Sequence, residues 1–208
     1  MAQRKPLPPP AELIVDALSH DGRGIARPDG KTTFIDNALP GETVLCKYIT
    51  QRGKFDEGRA LEIRVASTDR VDTPCAHADR CGGCSLQHLN SEEQILRKQR
   101  MLEEQLRHFG GLVPKQWLPP LTGPVIGYRS KARLGVKYVE SRQQALVGFR
   151  EKRNHFITAV ESCPVLIPAL GQSIQALARL IESLDARRRI PQIEVAAGDE
   201  DIALVFRH

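Results

Sequence analysis

The sequence CAHADRCGGC at residues 75–84 carries three cysteines on one short loop, with five and then two residues between successive thiols. A fourth cysteine, Cys163, is separated from Cys84 by 78 residues. Three close thiolates can wrap one face of a compact ion or cluster, and a distant fourth can close it. Gly82 and Gly83 favour this interpretation, because a chain that bends around inorganic sulfur must approach it closely and offer bare N–H groups. The spacing therefore predicts a metal or cluster site on Cys75, Cys81, Cys84 and Cys163.

The cysteine spacing is compatible with two kinds of metal group, a zinc ion and an iron–sulfur cluster. Structural zinc is the main alternative, because four-cysteine sites with a two-residue spacing are common. Zinc sites usually contain two such pairs, whereas the second half here is the single Cys163-Pro164. Three near thiolates and a distant one are more typical of a [4Fe–4S] cluster. Unrelated buried thiols are a third reading, and the fifth cysteine, Cys46, fits it because it lies alone in an apolar strand.

Residues 11–68 read as a small β domain. Short apolar stretches alternate with turn sequences such as DGRG (21–24) and RGK (52–54), which predicts five short strands. Five strands in so short a segment predict an OB-like barrel that closes on itself to hide its edges. The proline-rich residues 1–10 precede it as a disordered or extended lead-in.

Residues 91–208 combine helices with strands, after a cysteine-rich loop at 69–90. A helix is predicted from Ser91 to Phe109, with Ser91 and Gln94 as a capping box and two glycines at its end. Further strands are expected at 128–139, 145–150 and 156–160, a second helix at about 169–186, and a hairpin at 192–206. The predicted fold is therefore mainly β, with an N-terminal barrel followed by an α+β central domain.

Basic residues concentrate in the middle of the chain. Residues 85–153 hold 13 basic and 6 acidic side chains, whereas residues 1–74 hold 11 of each. Alternate positions of the strand that begins near Tyr128 are cationic, which puts one charged face opposite an apolar face. Such a face suits RNA phosphates, although the solvated side of a half-buried strand can also be charged. The predicted RNA-contact residues are Arg129, Lys131, Arg133, Lys137, Arg150, Lys152, Arg153, His155 and Phe156, with the turn residues Arg23, Arg52 and Lys54 as further candidates.

Neither a signal peptide nor an apolar stretch of about 20 residues can be found. The sequence therefore predicts a cytoplasmic protein that does not insert into membranes. We also expect a monomer. A disulfide framework is not expected for five cysteines in that reducing compartment.

Several motifs resemble one family. The CGGC sequence followed by Gln87-His88 resembles the cluster loop of bacterial 23S rRNA uracil-C5-methyltransferases. The sequences YRSKARL (128–134), VGFR (147–150) and SCP (162–164) are similar to the central domain of that family. DGRG and FIDNALPGE (34–42) resemble the TRAM module, a small RNA-binding β-barrel.

The resemblance implies a [4Fe–4S] cluster on the four cysteines and S-adenosylmethionine-dependent methylation of a uridine in 23S ribosomal RNA. In the family, a cysteine thiolate adds to the uracil and a carboxylate acts as base, both in a C-terminal Rossmann-like domain. No strand followed by a glycine-rich turn and a helix occurs after residue 90. We therefore expect that domain to be absent, with no catalytic or S-adenosylmethionine-binding residue in this chain and no activity of the chain alone. The alternatives are a zinc- or iron–sulfur-stabilised RNA-binding adaptor and a redox iron–sulfur protein.

Overall fold

Two separate hydrophobic cores form in the computed structural model, which describes residues 6–208. Residues 6–72 and Ser85–Leu118 make the first unit, and Thr73–Cys84 with Pro119–His208 make the second. Residues 1–5 of the expected lead-in lie outside the described residues. Residues 6–10 form neither helix nor strand. The four cysteines of the predicted site all belong to the second unit.

The first unit is built on one six-stranded sheet in the order β1-β5-β6-β4-β3-β2. Neighbouring strands are antiparallel except β4 and β6, which are parallel. Register shifts between the two long strands β5 and β6 accompany its curl. The strands are Ala11–Ile14 (β1), Ala17–Leu18 (β2), Gly24–Ala26 (β3), Thr32–Asp36 (β4), Thr43–Gln51 (β5) and Phe55–Val65 (β6).

This sheet is a curled half-barrel with β1 and β2 at its two ends, rather than the closed five-stranded barrel expected from the sequence. The additional strand β3 begins inside the predicted DGRG turn. Gly22 has a φ of 84° and makes the turn, whereas Gly24 already pairs with β4. A Cβ on Gly24 would lie 2.9 Å from side-chain atoms of Ala38 and Val15, so close packing explains this second glycine.

The core of the first unit confirms the assignment of Cys46 to packing. Its side chain is fully buried on β5, and a Cβ on Gly58 of the paired strand would lie 2.4 Å from its sulfur. Burial raises the pKa of the Cys46 thiol to about 11, which keeps it protonated at neutral pH.

The predicted first helix, α1, spans Ser91–Gly110, and Gly111, whose φ is 60°, caps its C-terminal end. The expected capping box is wrong, because Asn90 is the cap and its side chain accepts from the N–H of Glu92. The Gln94 side chain instead donates to the carbonyls of Leu86 (3.0 Å) and Leu89 (2.8 Å), which ties the helix to the preceding segment.

The second unit contains an antiparallel sheet in the order β11-β10-β7-β8-β9, covered by a helix. The predicted helix at 169–186 is divided at Gln172 and Ser173, where the chain turns so that the Gly171 carbonyl accepts from the Cys163 N–H. The elements are Lys131–Val139 (β7), Gln144–Arg150 (β8), Ile157–Ala159 (β9), Pro168–Gly171 (α2), Ile174–Ser183 (α3), Gln192–Ala197 (β10) and Ile202–Arg207 (β11).

The core of the second unit lies between α3 and the sheet. Ile174, Leu177 and Ile181 project from α3 at helical spacing, and they belong to one buried cluster with Leu134 and Ile193 of the sheet. None of the helices among residues 6–208 is long and apolar enough to cross a membrane.

Candidate functional site

The cysteine-rich loop is folded by its own backbone into successive turns. The N–H of Ala78 donates to the Cys75 carbonyl (3.1 Å), and the N–H of Cys81 donates to the His77 carbonyl (2.8 Å). Cys81 is buried, whereas Cys75 and Cys84 are half-buried. The loop therefore holds one thiol inside the second unit and two nearer its surface.

The loop is attached to the end of strand β8. The Gly82 N–H donates to the Arg150 carbonyl (2.8 Å), Cys81 pairs with Glu151, and the Lys152 N–H donates to the Arg80 carbonyl (2.8 Å). A Cβ on Gly82 would lie 2.8 Å from the Arg150 carbonyl oxygen. A side chain at position 82 would thus push the loop away from the strand, which is the physical reason for this glycine.

Three interactions of charged side chains reinforce the fold of the loop. Lys152 Nζ donates to the Ala78 carbonyl (2.7 Å), and Arg129 Nη1 donates to the Gly83 carbonyl (3.3 Å). The guanidinium of Arg80 pairs with the Glu151 carboxylate at 2.8 Å. Two of the residues predicted to contact RNA therefore bind the cysteine loop instead of projecting freely into solvent.

Cys163 lies in a segment that is distant in sequence from the cysteine loop. Its N–H donates to the Gly171 carbonyl (3.1 Å), and a Cβ on Gly171 would lie 2.4 Å from the Cys163 carbonyl oxygen. The backbone of Arg129 pairs with the segment that follows, through an N–H bond to the Val165 carbonyl of 3.0 Å. Arg129 thus contacts both the loop with three cysteines and the segment with the fourth.

The other three thiols lie close enough to Cys81 to affect its pKa. Burial raises the pKa of the Cys81 thiol, and the Gly83 N–H, 3.4 Å from its sulfur, acts in the opposite direction. Repulsion from negative charge on Cys84, Cys75 and Cys163 adds to the increase. All four are free cysteines. Within residues 6–208, however, no three His, Cys, Asp or Glu side chains already stand in metal-binding geometry.

The surroundings of Cys81 nevertheless fit a sulfur-ligated metal group. Four cysteines are the usual donor set of both structural zinc and [4Fe–4S] clusters. The Gly83 N–H points at a thiol sulfur, and a Cβ on Gly83 would lie 3.4 Å from that sulfur and 3.3 Å from the Phe149 ring. The glycine therefore keeps the space beside Cys81 open on one side.

The cationic face of β7 is less uniform than its sequence predicts. Lys131, Arg133 and Lys137 are exposed on it as expected. Glu194 of β10 pairs directly with Arg133, and its carboxylate lies 3.8 Å from that guanidinium and 2.6 Å from Arg207. Hydrogen bonding from Arg207 holds the pKa of Glu194 below its ordinary value, so the carboxylate stays charged. The sequence alone does not reveal this neighbour, because the pairing of β10 with β7 is not local.

The remaining predicted RNA-contact residues lie at the end of β8 and on the turn that leads to β9. Arg150, Arg153, His155 and Phe156 are exposed, and the His155 and Phe156 rings are 4.6 Å apart. Sequence reasoning missed Asn154, whose amide donates to Glu151 (2.8 Å) and whose oxygen accepts from the Phe156 N–H (2.7 Å). Asparagine is a frequent turn former, which is the signal that was available.

Comparison with known proteins supports the motifs. Residues 11–63 match the family model of the TRAM domain. The chain is 62% identical over 207 residues to the 23S rRNA (uracil(1939)-C(5))-methyltransferase RlmD of Alcanivorax borkumensis, and 56% identical over 208 residues to that of Nitrosococcus oceani. Each alignment covers 99% of this chain and 46% of the relative. The chain thus spans less than half the length of the curated relatives it matches.

A solved structure has a similar fold. It is the Pyrococcus abyssi tRNA (uracil-54, C5)-methyltransferase in complex with S-adenosyl-L-homocysteine, with a TM-score of 0.64 over 94% of this chain and 45% of that one. The identity is 20%, so this likeness concerns the fold alone. The resemblance to bacterial 23S rRNA uracil-C5-methyltransferases is confirmed by the curated relatives, over a part of their length.

Proposed function

We propose that this chain, which is homologous to part of the 23S rRNA uracil-C5-methyltransferases, is the RNA-recognition and [4Fe–4S]-binding portion of such an enzyme. Its substrate would be 23S ribosomal RNA, and the methyl donor of the whole enzyme would be S-adenosylmethionine. Bacterial ribosomal RNA is cytoplasmic, so the protein acts in the cytoplasm, and we expect the chain to be a monomer.

One observation carries the cluster assignment. The loop with Cys75, Cys81 and Cys84 and the segment with Cys163 are both bonded to Arg129, and the charge of each other thiol acts on Cys81. A bound cluster would join these two segments, which are distant in sequence. The chemistry it supplies in this role is structural cross-linking through sulfur ligands.

RNA recognition is supported by the TRAM match and by cations grouped beside the cysteine loop. Arg150, Arg153 and His155 are exposed at the end of β8, where the loop is attached. Lys131, Arg133 and Lys137 extend the charge along β7. Each phosphate that such a side chain neutralises releases counterions, so affinity should fall steeply with salt.

The test of the cluster is iron, acid-labile sulfide and zinc content after anaerobic purification. We expect about four irons and four sulfides per chain, lost in Cys163→Ser and retained in the matched control Cys46→Ala. One zinc without sulfide would replace the proposal by the zinc-stabilised RNA-binding adaptor. A reversible redox couple in a chain that does not bind RNA would favour the redox protein.

Activity and RNA binding are tested separately. We expect no transfer of labelled methyl groups from S-adenosylmethionine to 23S ribosomal RNA by this chain alone, because the sequence holds no expected catalytic residue. Replacing Lys131, Arg133 and Lys137 together by Gln should weaken binding of a 23S RNA fragment and reduce its salt dependence. Methyl transfer by the chain alone would refute the proposal that catalysis requires the rest of the enzyme. Unchanged RNA affinity would show that β7 is not part of the RNA site.

A further inference from the structure

We propose that the outer face of the first unit's sheet around Phe55 is a stacking platform for unpaired bases of single-stranded RNA. This inference rests on the proposed RNA-binding function and adds a second site, within the first unit. The platform consists of two rings on neighbouring strands, a fixed guanidinium over one ring and an exposed cationic hairpin tip beside the other.

The two rings project from the same face of the sheet. Phe34 on β4 and Phe55 on β6 are half-buried, and their neighbours Thr33, Ile35 and Asp56 turn inward and are buried. The ring centroids are 5.7 Å apart in an edge-to-face arrangement. Two aromatic rings on the solvent side of a sheet are not needed for its core, and they offer flat apolar surface to a ligand.

One half of the platform is fixed. The Arg23 guanidinium lies 4.5 Å from the centre of the Phe34 ring. Carboxylates of Asp21 (2.8 Å) and Glu57 (3.0 Å) hold it there. Because both carboxylates bond to it, this guanidinium adds little net charge, but it is held over the Phe34 ring.

The other half is exposed and cationic. Residues 51–54 at the tip of the β5–β6 hairpin are exposed, and Arg52 lies 5.6 Å from the centre of the Phe55 ring. Among the described residues, no carboxylate is in ion-pair range of Arg52 or Lys54. A base can therefore displace Arg52 from the ring, while both cations remain free to bind phosphates.

The strands behind the tip add to the positive charge. Lys47 of β5 pairs directly with Arg59 of β6, and both side chains are exposed. Like charges placed opposite each other on antiparallel strands are destabilising, so this pair costs stability unless an anion lies beside it. Asp36 of β4 pairs with Arg59 across the other edge of β6. Within the described strands, the register places only Arg59, and no carboxylate, opposite Lys47.

Rings beside unbalanced cations fit single-stranded RNA better than a duplex or a protein. A duplex keeps its base faces stacked inside the helix, where a protein ring cannot reach them. Stacking of a base on an aromatic ring is worth about 1–3 kcal/mol and tolerates any sequence. An acidic peptide could satisfy the cations but gains no stacking on Phe55, so the ring distinguishes the two occupants.

The first experiment compares Phe55→Leu with the matched control Phe109→Leu, whose ring is exposed on α1. The probe is a short fluorescein-labelled uridine-rich RNA strand, and anisotropy gives its Kd for the whole chain. We expect about tenfold weaker binding for Phe55→Leu and no change for the control. Equal affinities for both variants would overturn the proposal. Urea unfolding of both variants shows whether they are folded.

The second experiment does not depend on weakening the sheet. Phe55→Trp is made in a Trp117→Phe background, so that it carries the single tryptophan of the chain. Stacking of a base quenches its fluorescence, and we expect quenching with the single strand but not with the matching RNA duplex. Equal quenching by duplex, or by a poly-glutamate peptide, would identify a general polyanion site and refute stacking.

The charges are tested by replacing Arg52 and Lys54 together by Gln. The slope of log Kd against log salt should fall by about 1.4, since each phosphate contact to a single strand contributes about 0.7. If the Phe55 variants bind normally while the triple β7 variant binds weakly, the stacking platform fails and the proposed function stands. If wild type binds no RNA at all, the proposed function fails with it.

Discussion

The ammonium group of Lys152 donates a 2.7 Å hydrogen bond to the backbone carbonyl of Ala78, in the middle of the cysteine loop. Lys152 lies two residues after the end of strand β8, and its own N–H donates to the Arg80 carbonyl. One residue thus secures the loop through both its backbone and its side chain. A cation that resembles a phosphate ligand in the sequence is, in the fold, a support for the proposed cluster ligands.

Lys152→Met should therefore loosen the cysteine loop. A hydrogen bond from a charged donor contributes about 1.5–3 kcal/mol, and partial exposure of Lys152 reduces this to about 1 kcal/mol. We expect faster loss of iron and sulfide in air from this variant than from wild type. The measurement is the decay of the cluster's visible absorption with time.

Lys137→Met is the matched control, because Lys137 is an exposed cation of β7 that is also predicted to contact RNA. It should weaken RNA binding without changing the rate of cluster loss. Identical decay rates in the two variants would mean that the Lys152 bond does not support the loop.

Gly171→Ala should disturb the segment that carries Cys163. The added Cβ would lie 2.4 Å from the Cys163 carbonyl oxygen, and neither backbone can move freely because each bonds to the other. We expect the free energy of unfolding in urea to fall by about 1–3 kcal/mol, as for other overpacked sites. Gly123→Ala is the control, since nothing lies within 4 Å of its added Cβ. Comparable destabilisation by both would show that the close approach to Cys163 is unimportant.

Local patterns predicted most of the elements, because alternation and helical spacing are properties of short segments. The strands around residues 131–139 and 144–150 and helix α1 are found where expected. Strand β3 and the break after Gly171 were missed, since both depend on packing against another segment, Val15 and Ala38 for Gly24 and Cys163 for Gly171, rather than on periodicity in their own sequence. The helix cap was misplaced by one residue because Asn90 and Ser91 are both good caps.

The cysteines of the candidate site are visible in the sequence, whereas the residues that support them are not. Cysteine spacing and glycines are visible in the sequence, and the structure brings all four cysteines into one unit. The roles of Arg129 and Lys152 were not, because a cation has the same signature whether it binds a phosphate or a carbonyl. Only the bonds to the loop, which join residues 46 apart for Arg129 and 74 apart for Lys152, distinguish the two roles.

Glu42 is the polar centre of the first unit. Its side chain is fully buried and accepts from the N–H groups of Leu39 (2.8 Å) and Ser67 (3.2 Å). Arg70 adds two bonds, from Nε (2.6 Å) and Nη2 (2.9 Å), and also donates to the Asn37 carbonyl. One carboxylate therefore joins the turn after β4 to the segment after β6.

Glu42→Gln should lower the free energy of unfolding by about 3 kcal/mol, because it leaves the guanidinium of Arg70 without its counter-charge. Burial opposes ionisation of Glu42, but the bonds from Arg70, Leu39 and Ser67 outweigh it and hold the pKa below the ordinary value of 4.5. The stabilisation by the carboxylate is therefore complete above pH 4.5 and is lost as the pH falls through the lowered folded-state pKa. Urea unfolding of wild type and variant should thus differ most near pH 7 and converge in acid.

The control for this pH dependence is Glu62→Gln, whose exposed carboxylate pairs with the exposed Arg64 at 2.8 Å. Solvent screens that pair, so its loss should change the free energy of unfolding by less than about 1 kcal/mol at any pH. A constant difference between wild type and Glu42→Gln from neutral pH into acid would contradict the charge argument. It would mean that the hydrogen bonds lost at the amide nitrogen, which cannot accept, account for the destabilisation, rather than the lost charge at residue 42.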